Sequence, residues 1–305
     1  MAGRDRADTP AAERRLVSVL FTDLVGFTTL SEERDSEEVR ELLSRYFETA
    51  RLVIDRFGGT VEKFIGDAVM AVWGTPVAYE DDAERAVRAA LDLLPAVAAL
   101  GAEMGAPTLQ ARAGVLTGET AVTLNAEGEG MVAGDVVNAA SRIQALASPG
   151  AVLVGDATRR ASEAAIAYED AGVQELKGKA EPLQLWRALR VIAARRGEGR
   201  ATALEAPFVG RDGELRLVKD LFHAASDEHR ARLVSVVGVA GVGKSRLSWE
   251  FQKYVDGLIE QISWQRGRCL AYGEGVAFMS ESALRPAWRR PRKHSASSGC
   301  RSGWQ

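Results

Sequence analysis

A tight antiparallel hairpin is the feature that most restricts the fold of this chain. Two runs rich in β-forming residues, Thr60–Ile65 and Ala68–Trp73, are separated only by Gly66-Asp67, and two-residue connections of this kind are typical of β-hairpins. The apolar run 16–21 predicts another buried strand before the hairpin. Between these strands, apolar residues recur every three or four positions over 36–57, which predicts one long amphipathic helix that ends at a glycine pair.

The hairpin belongs to an irregular alternation of strands and helices. Periodicity predicts helices over 82–100 and 136–146, and the first of them begins with a capping-box pattern at Asp81 and Glu84. We predict strands over 109–115, 119–124 and 151–154, and closing strands within 172–189. The resulting division is a flexible N-terminus (1–13), an α+β domain (14–190), a linker (191–207), an incomplete α/β domain (208–284) and a disordered or unnatural tail (285–305).

Composition limits the classes of partner. The chain has 305 residues, 46% of them hydrophobic and 27% charged, which suffices for two domains with cores of their own. A formal net charge of -3 argues against a surface that coats nucleic acid. The N-terminus lacks the apolar segment of a signal peptide, no apolar run spans a bilayer, and Cys269 and Cys300 have no metal-ligand spacing. We therefore expect a cytoplasmic protein that binds neither membrane nor nucleic acid.

Two aspartates stand where strands of the predicted sheet end. Asp23 follows the apolar run 16–21, and Asp67 lies on the hairpin turn. If the two strands are neighbours, two hard oxygen ligands converge, as magnesium bound to a triphosphate requires. The alternative for each residue alone is structural, because aspartate is common at helix caps and in tight turns.

Five ordered segments together resemble the class III adenylyl and guanylyl cyclase catalytic domain over residues 14–189. The resemblance implies an α+β fold with a ferredoxin-like βαββαβ core and a mixed or antiparallel sheet. No single segment would be specific for this family, whereas five segments in the same order and at consistent separations are specific. The segments are FTDLVGFT (21–28), EKFIGDAVM (62–70), GVLTGE (114–119), GDVVNAASR (134–142) and LKGK (176–179).

The resemblance also implies a site and a reaction. Asp23 and Asp67, with the Leu24 carbonyl, would hold two divalent ions, Mg or Mn. The 3′-hydroxyl of ATP would then attack the α-phosphate in line and give cyclic AMP and pyrophosphate. Each site would be shared in a homodimer, because the family's lysine and its metal-binding aspartates serve different sites. The remaining implied residues are Asn138, which orients the ribose, Arg142, which neutralises phosphoryl charge, Lys63, which contacts the purine, and Phe27 and Thr28, which bind substrate.

One residue departs from the family pattern. Met131 stands where the family usually has an aspartate or threonine that hydrogen-bonds the purine, and a methionine is a poor acceptor. ATP is still favoured, because Lys63 is present where guanylyl cyclases usually carry a glutamate. The alternative from another class is a catalytically weak, nucleotide-sensing module that controls an attached ATPase, and Met131 favours it.

A phosphate loop lies in the second domain. Residues 233–237 predict an apolar strand that leads into GVAGVGKS, and a helical pattern begins at Arg246, which is the context of a Walker A motif. The segment resembles the AAA-type ATPase module of signal-transduction proteins. No later buried strand ends in an acidic residue, so we expect no ATP hydrolysis. The phosphate-binding residues would be Gly238, Gly241, Gly243, Lys244 and Ser245.

Overall fold

The structure is a computed structural model that describes residues 12–123, 132–175, 182–192, 208–239, 241–260 and 262. The predicted N-terminus over 1–11, Met131, the segment 176–179, most of the linker and the tail lie outside the described residues. The elements are β1 (Ala12–Val25), α1 (Phe27–Glu32), α2 (Ser36–Arg56), β2 (Thr60–Ile65), β3 (Ala68–Trp73), α3 (Asp82–Glu103), β4 (Gln110–Thr123), β5 (Val132–Ala133), α4 (Asp135–Leu146), β6 (Val152–Gly155), α5 (Asp156–Ser162), β7 (Ile166–Gln174), β8 (Leu183–Val191), α6 (Asp212–Asp227) and α7 (Lys244–Gly257).

One mixed sheet organises the first domain. Its strands follow the order β2-β3-β1-β4-β6-β8-β7, and the short β5 pairs with β4. The pairs β2-β3, β3-β1 and β1-β4 are antiparallel, which is the arrangement of a ferredoxin-like βαββαβ core. The β4-β6 pair is parallel. The predicted fold class is therefore confirmed.

Strand β1 is central and has a core on both faces. Alternate residues of a strand point to opposite faces of its sheet, so Val17, Val19 and Phe21 share one face and pack with the buried side of α4. On the other face, Leu20 and Thr22 are fully buried. An apolar run without alternation is typical of a strand covered on both sides.

The strand predicted over 109–115 and the strand predicted over 119–124 are one continuous strand, β4. Gly118 lies in the gap between the two predicted strands. A Cβ at Gly118 would lie only 2.8 Å from a methyl group of Val136, so the glycine permits close packing of α4 and makes no turn. The sheet is for this reason more continuous than the glycine pattern indicates.

The predicted capping box of α3 is wrong. Asp81 occupies the N-cap position but accepts no hydrogen bond from the helix backbone, and it forms an ion pair with Arg85 at 3.0 Å. The neighbouring Asp82 accepts the backbone N–H of Tyr79 at 2.7 Å. The short helices α1 and α5 were not predicted, since each is only about two turns long or less and carries little periodic signal.

The strand predicted over 233–237 does not form. In the described part of the second domain, residues 208–239 and 241–260, only the helices α6 and α7 are regular elements. Leu233 is 94% exposed and Val237 is 91% exposed. A buried parallel strand requires neighbours on both sides, and no described strand pairs with this run.

Helices α6 and α7 pack on the first domain through buried cations. Arg88 of α3 donates from Nη1 to the carbonyl of Lys253 at 2.8 Å, and Lys253 donates from Nζ to the carbonyl of Val191 at 3.0 Å. Lys219 of α6 pairs with Asp92 of α3. Among the described residues, no helix is both long and apolar enough to cross a bilayer.

Candidate active site

Asp23 lies inside β1, opposite Arg112 of β4 in the strand register. The guanidinium donates from Nε to Oδ1 of Asp23 at 2.9 Å and from Nη2 to Oδ2 at 3.1 Å. These hydrogen bonds, together with the negative charge of Asp23, raise the pKa of Arg112. The third guanidinium nitrogen, Nη1, donates to the carbonyl of Ala145 near the end of α4 at 2.9 Å.

Asp67 lies on the β2-β3 turn and approaches the same end of β1. Gly66 precedes it with φ of 62°, a left-handed conformation that glycine adopts without strain. Burial raises the pKa of Asp67, its own N–H and the N–H of Leu24 act in the opposite direction, and the negative charge of Asp23 raises it further. The turn thus brings a second carboxylate beside the first, as the sequence predicts.

Beneath this pair, two hydroxyl groups are fully buried. Tyr46 of α2 and Thr22 of β1 have no solvent exposure, and their hydroxyl groups lie side by side. Burial raises the pKa of Tyr46, the hydrogen bond with Thr22 acts in the opposite direction, and the charges of Asp67 and Asp23 raise the pKa further. The two carboxylates therefore lie close to a buried pair of hydroxyl groups.

The donor set fits a divalent ion that is also held by a substrate. Asp23 and Asp67 supply hard oxygen ligands, and their proximity leaves negative charge that a cation would stabilise. In the described part of the chain, no group of three or more histidine, cysteine, aspartate or glutamate residues could hold a metal. Magnesium commonly binds through one or two carboxylates, water and substrate phosphates, so two carboxylates are sufficient.

Helix α4 carries Asn138 and Arg142 one turn apart on a face that turns away from the sheet. Asn138 is exposed and Arg142 is half-buried. At about 100° per residue, Asn138 points nearly opposite the middle of the helix's buried face. The buried residues of α4 are Ala139, Ala140, Ile143 and Gln144.

The position of α4 along the sheet also separates Asn138 from the aspartates. Gly118, which contacts Val136, pairs with Val17, and Val17 lies roughly 20 Å from Asp23 along the strand. Asn138 is two helix residues nearer, so roughly 17 Å remain along the strand. Within one chain Asn138 therefore stands apart from the two aspartates, whereas Arg142 lies nearer to them, three residues before Ala145, whose carbonyl accepts a hydrogen bond from Arg112.

The other predicted substrate contacts lie near the aspartates in the chain. Lys63 of β2 follows a β-bulge, has 31% of its side chain exposed and lies 4.0 Å from Oε1 of the buried Glu62. Phe27 and Thr28 begin α1 directly after β1. Met131 lies outside the described residues, so the structure places no side chain there.

The phosphate loop precedes α7. Gly241 and Gly243 have φ of 80° and 96°, conformations that favour glycine. Lys244 begins the helix and donates from Nζ to the carbonyls of Gly238 and Val239 at 2.9 and 2.8 Å. Ser245 follows on the exposed first turn. The lysine thus folds back over its own loop.

Arg112 is the site residue that the sequence did not reveal. It is 89 residues from Asp23 in the chain, and only the β1-β4 register brings the two side chains together. The one sequence signal for Arg112 is its place in the long strand β4, just before the GVLTGE segment. That signal points to Asp23 only when the pairing of β1 with β4 is known.

Comparison with known proteins identifies the family. The family model described as the adenylate and guanylate cyclase catalytic domain matches residues 10–187. The chain belongs to the class III nucleotidyl cyclases. A second model, the AAA ATPase domain, matches residues 207–297, so an AAA region follows the cyclase domain.

Similar proteins include both adenylyl and guanylyl cyclases. Adenylate cyclase 1 of Rhizobium meliloti is 33% identical over 192 residues, which are 60% of this chain and 29% of that protein. The solved adenylyl cyclase CyaB of P. aeruginosa is 30% identical, with a TM-score of 0.56, over 62% of this chain and 100% of that one. The guanylyl cyclase Cya2 is 29% identical, with a TM-score of 0.56, over 59% of this chain and 94% of that one.

The relatives extend well beyond the matched region. An uncharacterized protein of Rhizobium meliloti is 33% identical over 248 residues, 79% of this chain but 24% of that protein. The chain thus spans about a quarter of the length of these curated relatives.

Proposed function

We propose that the chain is an adenylate cyclase that converts ATP to 3′,5′-cyclic AMP and pyrophosphate at sites shared between two protomers. The observation that carries the proposal is the separation of Asp23 and Asp67 from Asn138. Asn138 points away from the sheet and lies roughly 17 Å from Asp23 along it. A second copy of the chain would supply the missing half of each site, as a twofold-symmetric dimer allows.

In this proposal, Asp23 and Asp67, together with the Leu24 carbonyl, hold two divalent ions, Mg or Mn. The bound ions would lower the pKa of the ribose 3′-hydroxyl and neutralise the departing pyrophosphate. Phe27 and Thr28, at the start of α1, would line the substrate next to the same end of β1.

The partner's α4 would complete the site. An asparagine at position 138 can hydrogen-bond the ribose ring, and an arginine at position 142 can hold a positive charge against the developing phosphoryl charge. Because these two groups are one helical turn apart, a rigid helix fixes their spacing before substrate arrives. No covalent intermediate with the protein is needed.

Lys63 supports ATP as the substrate. A lysine ammonium can only donate hydrogen bonds, and the N1 atom of adenine accepts one, whereas N1 of guanine carries a hydrogen. The neighbouring carboxylate of Glu62 is buried and would hold the ammonium group in place.

Product identification tests the proposal. The folded, dimeric chain is incubated with ATP or GTP and Mn²⁺, and the product is measured by mass spectrometry. We expect cyclic AMP, and we expect Asp67→Asn to lower its formation by about a hundredfold or more, because a carboxylate that holds a catalytic ion contributes several kcal/mol. Glu103→Gln neutralises an exposed carboxylate on α3 and is the matched control.

The outcomes separate three accounts. Cyclic AMP that disappears in Asp67→Asn supports the proposal, and cyclic GMP in its place would reverse the base preference. No product from a folded dimer would favour the regulatory module, an account that the docking of α7 on α3 supports. In that account the cyclase fold is the nucleotide-sensing module, and Gly238, Gly241, Gly243, Lys244 and Ser245 form the phosphate loop of the ATPase that it controls.

A further inference from the structure

Helix α7 leads from the phosphate loop to the end of α2. It begins at Lys244, whose ammonium group donates to two carbonyls of the loop. A helix of 14 residues is roughly 20 Å long. Just beyond its last turn, Ile259 donates its backbone N–H to the carbonyl of Arg56, the last residue of α2, at 3.0 Å. The two ends of α7 therefore contact two different functional regions.

Buried charges fix the position of α7 on the cyclase domain. Lys253 is 1% exposed and donates from Nζ to the carbonyl of Val191 at 3.0 Å and to the carboxylate of Glu250 at 2.8 Å. Arg88 of α3 is 2% exposed and donates to the carbonyl of Lys253 at 2.8 Å. Loss of one partner from a buried charged contact is costly, so α7 does not slide freely on this surface.

The connection between α2 and β2, residues 57–59, lies against the end of α7. The side chain of Ile259 is so close to Gly58 that a Cβ at this position would overlap it. The ring of Tyr254 meets the ring of Phe57 edge-on, with 6.0 Å between their centroids. One side of the connection is thus covered by residues that follow the phosphate loop.

The other side of the same connection contacts the β2-β3 hairpin. Trp73, the last residue of β3, donates from Nε1 to the carbonyl of Phe57 at 3.0 Å. A Cβ at Gly59 would overlap the indole ring of Trp73. Strand β2, which carries Lys63, begins directly after the connection, and Asp67 lies on the turn that follows β2. A change in the connection therefore acts on both strands of the hairpin.

We propose that α7 transmits nucleotide binding at the phosphate loop to the β2-β3 hairpin through residues 57–59, so that the ATPase region regulates the cyclase site. Phosphate groups in the loop would replace the two carbonyls as partners of Lys244, which is the first residue of α7. The inference rests on the proposed function for the role of the hairpin. Coupling of this kind is reciprocal, so nucleotide at the cyclase site would also change affinity at the loop.

Hydrogen exchange of the full chain, measured by mass spectrometry with and without Mg²⁺ and ADP, tests the inference without turnover. We expect amide exchange over 57–59 to slow by about fivefold or more, because nucleotide bound at its first turn stabilises α7 and because couplings between sites are commonly of this size. The wild type serves for this measurement, so it does not depend on the folding of a variant. The change should persist in Asp67→Asn, which shows that it does not originate at the cyclase site.

Two variants locate the route. Lys244→Ala should abolish the change over 57–59, and Ile259→Ala should abolish it while ADP still binds the phosphate loop. The matched control is Leu217→Ala, which shortens an apolar side chain of α6 that is 58% exposed and should keep the change.

The outcomes separate this inference from the proposed function. The inference is overturned if ADP does not bind the phosphate loop, if it binds without altering exchange over 57–59, or if Ile259→Ala keeps the full change. If the chain forms no cyclic nucleotide but the exchange result holds, the catalytic proposal fails and the coupling through α7 stands.

Discussion

The tetrapeptide Leu-Val-Ser-Val occurs twice in the chain, at 16–19 and at 233–236, and the two copies have different structures. In the first copy Val17 and Val19 are 1% and 0% exposed within the central strand β1. In the second copy Val234 and Val236 are 43% and 48% exposed, and no strand forms. Identical local propensity therefore gives a strand only where neighbouring strands exist to pair with it.

The functional residues that follow the two copies also differ in what holds them in place. After the first, Asp23 is fixed by Arg112 from β4, and Asp67 is fixed by the backbone of Leu24. After the second, Lys244 donates hydrogen bonds to two carbonyls of its own loop. Residues from distant strands thus hold the two aspartates, whereas the phosphate loop itself holds Lys244.

The largest expected effect comes from shortening one valine in each copy. Val19→Ala should lower the free energy of unfolding by about 2–3 kcal/mol, because it removes fully buried methyl groups from the core. Val236→Ala should change it by less than about 0.5 kcal/mol. Denaturant unfolding of both variants measures the difference, and equal losses would show that the second copy is buried in solution.

A pair of helical glycines tests whether the second region packs on the first. A Cβ at Gly257, the last residue of α7, would lie 2.8 Å from the side chain of the buried Arg88, whereas Gly213 in α6 has open space around it. Gly213→Ala should stabilise by up to about 1 kcal/mol through helix propensity. Gly257→Ala should instead destabilise by about 1–2 kcal/mol, because its methyl group overpacks the contact.

Thermal unfolding of these two variants at one pH measures the comparison. If Gly257→Ala stabilises as much as Gly213→Ala does, α7 does not pack against Arg88, and the two regions are independent.

The smallest expected effect is a pH dependence from His223. Burial lowers the pKa of His223 to about 4, and the positive charge of Arg56 acts in the same direction. The folded chain then binds fewer protons than the unfolded chain between about pH 6.5 and 4, so the free energy of unfolding should fall as the pH is lowered through that range. Partial exposure of the ring limits the contribution to about 1 kcal/mol.

Unfolding curves at pH 7 and pH 5 measure this contribution. His223→Gln should reduce the difference between the two curves, and His229→Gln, which changes an exposed histidine, should leave it as it is. An unchanged difference in His223→Gln would show that His223 is hydrated, and it would argue against its hydrogen bond with Tyr254 at 2.6 Å.

Local signals made part of the fold predictable. The glycine pair after 57 and the Gly66-Asp67 turn define element ends, and the structure matches the predicted helix 36–57 and both hairpin strands to within a residue. The gap between the strands predicted over 109–115 and 119–124 is wrong, and the sequence offers no correction, because a glycine that lets a helix pack closely, such as Gly118, looks the same in sequence as one that makes a turn. The strand predicted over 233–237 is wrong because the residues of the run do not reveal whether another strand is available to pair with it.

The candidate site was also predictable only in part. Asp23 and Asp67 approach each other as the strand and hairpin pattern indicates. The contact between Asp23 and Arg112 was not predictable, since it depends on a register between strands 89 residues apart. The outward direction of Asn138 follows from which residues of α4 are buried, and only the packing reveals them.

Mixing two inactive variants tests the shared-site account most directly. Asp67→Ala removes one half of each site, and Arg142→Ala removes the other, so each homodimer should make no cyclic AMP. When equal amounts are co-expressed, about half of the dimers are mixed, and each mixed dimer has one intact site, so about a quarter of the wild-type rate should return. If heterodimers form and the rate does not return, the two halves do not belong to different sites, and the account is wrong.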